Sequence, residues 1–137
     1  MINEDYLKRD ISVTIRISES TNSRLDYIKK VYDLGTTDAI LKAVHNQYLE
    51  ARPIILREKP KEKVEENGAV KNISISVRLN ECDMDEVEYV ESSYGLSRTG
   101  AIRYSIEREA YRIIERNRED AMKNGWKWER QYKGWSY

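Results

Sequence analysis

The 137-residue chain predicts a mainly helical protein with a two-stranded antiparallel β-ribbon, built from two strand–helix–helix units on one chain. Three observations predict it. The alternating stretch ISVTIRI at 11–17 returns as ISISVRL at 73–79. The chain then aligns with itself at a constant offset of 62 residues, without a gap, from Ile11 to Val44. Finally, each unit supplies one strand only, and a lone strand in a unit of about forty residues can neither satisfy its edges nor bury a sufficient core. The partner strand must come from the other unit.

In the first unit, Ile11, Val13, Ile15 and Ile17 alternate with Ser12, Thr14 and Arg16, the period-two pattern of a strand with one buried face. In the second, Ile73, Ile75, Val77 and Leu79 alternate with Ser74, Ser76 and Arg78. A polar cap follows each strand, clearer at Asn80 with Asp83 than at Ser18 with Thr21. Helix A then carries an apolar stripe of Leu25, Ile28, Val31 and Tyr32 in the first unit, and of Val87, Val90 and Tyr94 in the second. The chain breaks at DLGTT and GLSRT, where Gly35 and Ser97 are the expected N-caps. Helix B begins at Thr36 or Arg98, with Ala39, Ile40, Ala43 and Val44 matched by Ala101, Ile102, Ile106 and Ala110.

The expected organisation is a first motif at 9–52, a linker at 53–70, a second motif at 71–112, and a helix B extension with an aromatic, basic tail at 113–137. The linker holds both prolines and dense mixed charge. The tail clusters Trp126, Trp128, Tyr132, Trp135 and Tyr137 among basic residues; these are candidate contacts to DNA, to a partner protein or to a neighbouring copy of the chain, or they fold back on an exposed apolar surface.

Composition narrows the function classes. Cys82 is the single cysteine and His45 the single histidine, which excludes an internal disulfide, a multi-thiolate metal site and a His-based catalytic triad; both residues are read as structural. No metal, cofactor or enzymatic activity is expected. The first ten residues carry charge and no apolar run, so a soluble, cytoplasmic protein without a membrane segment is expected. With 24 basic and 24 acidic residues, indiscriminate polyanion binding is disfavoured. Charge is nevertheless segregated: residues 72–111 hold four basic against eight acidic residues, and 112–137 hold seven basic against four acidic.

The paired SVTIRI and SISVRL strands, each followed by two helices, together with the LSRTGAI turn, resemble the ribbon-helix-helix family of the MetJ/Arc type. With both motifs on one chain, the sequence is similar to tandem ribbon-helix-helix regulators encoded by archaeal viruses; the compartment would then be the host cytoplasm. The resemblance covers about residues 9–51 and 71–112. It implies an intramolecular pseudo-dimer that inserts its ribbon into the major groove of double-stranded DNA with pseudo-palindromic half-sites. Transcription regulation is the function it implies.

Physical chemistry supports the same residues. With its apolar face on the helices, the ribbon must present Ser12, Thr14, Arg16, Ser74, Ser76 and Arg78 outward. The major groove admits two strands, arginine reads guanine by two hydrogen bonds, and short hydroxyls reach several base edges. The first turns of the B helices offer unpaired N–H groups to a phosphate at Thr36, Thr37, Ser97, Arg98 and Thr99. Arg9 and Lys71, aligned by the same offset, precede the strands and flank the phosphates. The first unit has Thr36 where the second has Arg98, which predicts a weaker phosphate clamp there. A second class of function is an antitoxin-like interaction protein whose C-terminal tail binds a partner.

Overall fold

The computed structural model describes residues 8–56 and 70–124. Their order is β1 (Ile11–Ile17), α1 (Glu19–Tyr32), α2 (Thr36–Leu56), β2 (Ile73–Leu79), α3 (Glu81–Tyr94) and α4 (Arg98–Asn124). The two strands form one antiparallel sheet, with Ile11 opposite Leu79, Thr14 opposite Ser76 and Ile17 opposite Ile73. Thr14 and Ser76 are the one facing pair that also corresponds at the 62-residue offset, so the ribbon is centred on them.

The alternation places the core. Val13, Ile15, Ile17, Val77 and Leu79 are buried under the ribbon, and Leu25, Ile28, Ile40, Val44, Val87, Val90, Ile102 and Ile106 meet them from the four helices. Val31, expected in the α1 stripe, is 43% exposed. Leu25, Ile28 and Tyr32 already lie on the packed arc at helical spacing, and Val31 falls at its solvent margin. At a fully buried position such as Ile15, truncation to alanine costs about 2–5 kcal/mol, because the void left behind only partly collapses.

Local signals set the helix ends. Asn80 and Asp83 form a reciprocal capping box, the Asn80 side chain accepting from the Asp83 N–H at 2.7 Å and the Asp83 carboxylate from the Asn80 N–H at 3.1 Å. Ser18 caps α1 by accepting from the Thr21 N–H at 3.1 Å. Both A helices end on a left-handed residue, Asp33 at φ 54° and its counterpart Gly95 at φ 66°. The N–H of the next residue reaches back to the last turn in each case, Leu34 to Lys29 O at 3.0 Å and Leu96 to Glu91 O at 3.1 Å.

Helix α2 runs to Leu56 and so includes Pro53, which the sequence places in the linker. Proline withdraws one N–H donor but holds a helix-compatible φ, and the helix is carried through it for one more turn. Helix α4 runs unbroken past residue 112 to Asn124. Among the described residues, no helix is long and apolar enough to cross a membrane.

Polar side chains clasp the two halves together between α2 and α4. Glu109, fully buried, accepts from the Tyr32 hydroxyl at 2.5 Å, Asn46 Nδ2 at 3.0 Å and Arg112 at 2.7 Å. Buried Gln47 donates to the Tyr94 hydroxyl at 2.6 Å and accepts from Arg112 at 2.8 Å. Burial pushes the Glu109 carboxyl up, but the hydrogen bonds from Tyr32, Arg112 and Asn46 and the charge of Arg112 outweigh it and hold the group below the usual carboxylate range. Burial, and then the Glu109 carboxylate as acceptor and neighbouring charge, raise the Tyr32 phenol.

Candidate nucleic-acid interface

The ribbon's outer face is made by the pleat. Ser12, Thr14, Arg16, Ser74, Ser76 and Arg78 are all exposed, because their neighbours in the chain point into the helices. Ser12 stands opposite Arg78 and Arg16 opposite Ser74, so each arginine pairs with a serine and the two arginines occupy opposite ends. Between them, the Thr14 and Ser76 hydroxyls lie 3.3 Å apart at the centre. The two arginine positions are four residues apart along the ribbon, about 14 Å at a rise of about 3.4 Å per residue. That span matches about four base steps of a duplex at about 3.4 Å per step.

The candidate phosphate residues fall into two unequal groups. At the start of α4, Ser97 Oγ accepts from the Gly100 N–H at 3.1 Å, and Ser97 Oγ and Thr99 Oγ1 are 3.5 Å apart. Arg98 turns back to α3, 3.7 Å from Glu88 and 3.6 Å from Glu91. At the start of α2, Gly35 precedes Thr36 and Thr37 with open space where a side chain would stand. Arg9 meets Asp38 of that first turn at 2.9 Å, which brings the segment before β1 beside the α2 terminus. The first turn of α4 holds no acidic residue, whereas that of α2 holds Asp38. Lys71 is half-buried immediately before β2.

Arg103 is absent from the sequence-derived set. Its guanidinium on α4 donates to the Arg16 carbonyl at 3.1 Å, fixing the end of β1 where a candidate base-reading arginine stands. Leu41 occupies the corresponding place on α2, so the repeat itself was the available signal: a basic residue replacing an apolar one at equivalent helix positions.

His45 and Cys82, read as structural, are both exposed; His45 Nδ1 lies 2.5 Å from the Glu86 carboxylate across the two halves. Among the described residues, no three His, Cys, Asp or Glu side chains gather as a metal site would require. Trp126, Trp128, Tyr132, Trp135 and Tyr137 lie outside the described residues. Comparison with protein-family models, curated proteins and solved structures finds no match.

Proposed function

We propose that the chain is a sequence-specific regulator of transcription that binds double-stranded DNA, in which two ribbon-helix-helix motifs on one chain close into a pseudo-dimer and place their β-ribbon in the major groove. The observation that carries this reading is the outer face of the ribbon. Six exposed side chains, each a hydroxyl or a guanidinium, are arranged about the Thr14 and Ser76 pair in two nearly equivalent sets. Nothing apolar on that face calls for burial against another protein, and its dimensions suit a groove that admits two strands.

In this reading Arg16 and Arg78 read guanine on opposite arms of an imperfect palindrome, with the four hydroxyls lying close to base edges between them. Arg9, Thr36 and Thr37 attend one flanking phosphate, and Lys71, Ser97, Arg98 and Thr99 the other. Arg9 and Arg98 exchange their carboxylate partners, Asp38 and Glu88 with Glu91, for phosphate oxygens on binding.

Selection of bound duplexes from a random pool tests the reading. Enrichment of a short imperfect palindrome, lost when Arg16 and Arg78 are both replaced by alanine, is the expected result. A pool that stays random while duplex is retained at low salt overturns it, because the phosphate term alone holds every sequence equally.

A further inference from the structure

The two halves correspond position by position, yet the side chains that join them do not. Glu50 and Arg112 are equivalent at the 62-residue offset and hydrogen-bond to each other across α2 and α4. A contact between equivalent positions lies on the axis that relates the halves. Pairing of a half with its own like would therefore set Glu50 against Glu50, or Arg112 against Arg112.

Away from the axis the same reversal recurs. Arg24 of α1 meets Glu107 of α4 at 3.1 Å, and the Thr21 hydroxyl donates to Glu107 at 2.7 Å. The mate of this contact joins Glu86 of α3 to His45 of α2 at 2.5 Å, with the acid now on helix A instead of helix B. Two copies of the first half would put Arg24 against His45, leaving the arginine without its carboxylate. Two copies of the second would put Glu107 against Glu86, with Asp83 in place of Thr21. They would also bring two buried Glu109 carboxylates together in one cluster with both Arg112 guanidiniums, since Gln47, the equivalent of Glu109, shares the Arg112 guanidinium with it.

We infer that the surface between the halves is heterospecific: residues 9–52 are built to accept residues 71–112 and to refuse a second copy of themselves. This rests on the pseudo-dimer reading. Its consequence is that a chain completes its own ribbon with unlike halves, and neighbouring copies cannot link through like halves into longer assemblies. Attraction favours the correct pair while like-charge confrontation opposes both wrong ones. Because both halves are on one chain, their pairing is intramolecular and gains an effective concentration of about millimolar.

Two experiments on the full chain without DNA test the inference, so its failure is distinct from a failure to bind DNA. In the first, E50R sets two guanidiniums together as two second halves would, R24E sets two carboxylates together at Glu107, and E107R sets two guanidiniums together at Arg24, while Arg112 is kept because Gln47 and Glu109 also accept from it. Each should lower the melting temperature by about 2–5 °C, and R24E/E107R should regain most of the loss. Single reversals without effect, or a double as unstable as the summed singles, overturn the inference. In the second, T14C and S76C are placed in a C82S background and treated with a short bis-maleimide at micromolar protein. The double variant should cross-link within a monomer, while T14C alone and S76C alone should give no cross-linked dimer. A dimer from either single variant reports like-with-like pairing and overturns the inference, as does a double variant that fails to link internally.

Discussion

The guanidinium of Arg103 donates to the carbonyl of Arg16 at 3.1 Å, so a helix of the second half holds the end of the first strand. At the corresponding place on α2 stands Leu41, which has no donor to offer. The two ends of the ribbon are therefore supported differently, although their outward side chains are almost the same.

Replacing Arg103 by alanine should cost no more than about 1 kcal/mol of stability, the usual worth of one hydrogen bond at an exposed position. Its effect on DNA should be larger at the base proposed for Arg16 than at the base proposed for Arg78. Binding titrations on duplexes mutated at each arm, beside thermal unfolding, check this. Equal weakening at both arms would make Arg103 a general phosphate contact.

Arg16→Ala and Arg78→Ala should each lose about 1–3 kcal/mol of discrimination at one base position, the worth of a bidentate arginine to guanine. The two positions should lie about four base pairs apart, following the spacing along the ribbon. Affinity for unrelated duplexes should change less. Uniform loss on every sequence would reassign both side chains to the phosphates.

Glu109→Ala should destabilise the fold by about 2–3 kcal/mol, since it leaves the Tyr32 hydroxyl, Asn46 and Arg112 without their shared acceptor. The same group contributes to the acid limb of stability. Its folded pKa lies below its unfolded value, so its contribution is fully present above the ordinary carboxylate pKa and is lost as pH falls through the folded one. Tyr32 contributes an alkaline counterpart. Its folded pKa lies above its unfolded value near 10.0, so its contribution is present below that value and is lost as pH rises through the folded one. Denaturant unfolding from pH 2 to 11 should show both slopes, and Glu109→Gln should flatten the acid one.

Asp33→Gly should raise stability by about 1 kcal/mol. Asp33 sits at φ 54°, a conformation that costs a side-chain-bearing residue about 1–2 kcal/mol and that glycine adopts without that cost, as Gly95 does at the matching position. The converse change, Gly95→Asp, should lower stability by a similar amount. Urea unfolding midpoints at unchanged slope test both.

Side-chain alternation at 11–17 and 73–79 was sufficient to name the outward and inward residues of both strands, because a pleated strand exposes every second side chain whatever it packs against. The caps at Ser18 and Asn80, the paired breaks after the A helices and the stripes of the B helices were legible for the same reason: each is a contact between residues no more than five apart, and its pattern is written in the local order of the chain. The offset of 62 residues further implied that the strands pair with each other, since neither unit has a second strand of its own.

Tertiary structure alone decided the rest. Arg98 turns to Glu88 and Glu91, Arg103 reaches the Arg16 carbonyl, and Arg24 finds Glu107, through distances set by how helices far apart in the chain cross. A long charged side chain sweeps several ångströms of space from one backbone position. Its partner is therefore chosen by the packing that brings carboxylates or carbonyls within that reach, and no periodicity in the chain records which one arrives.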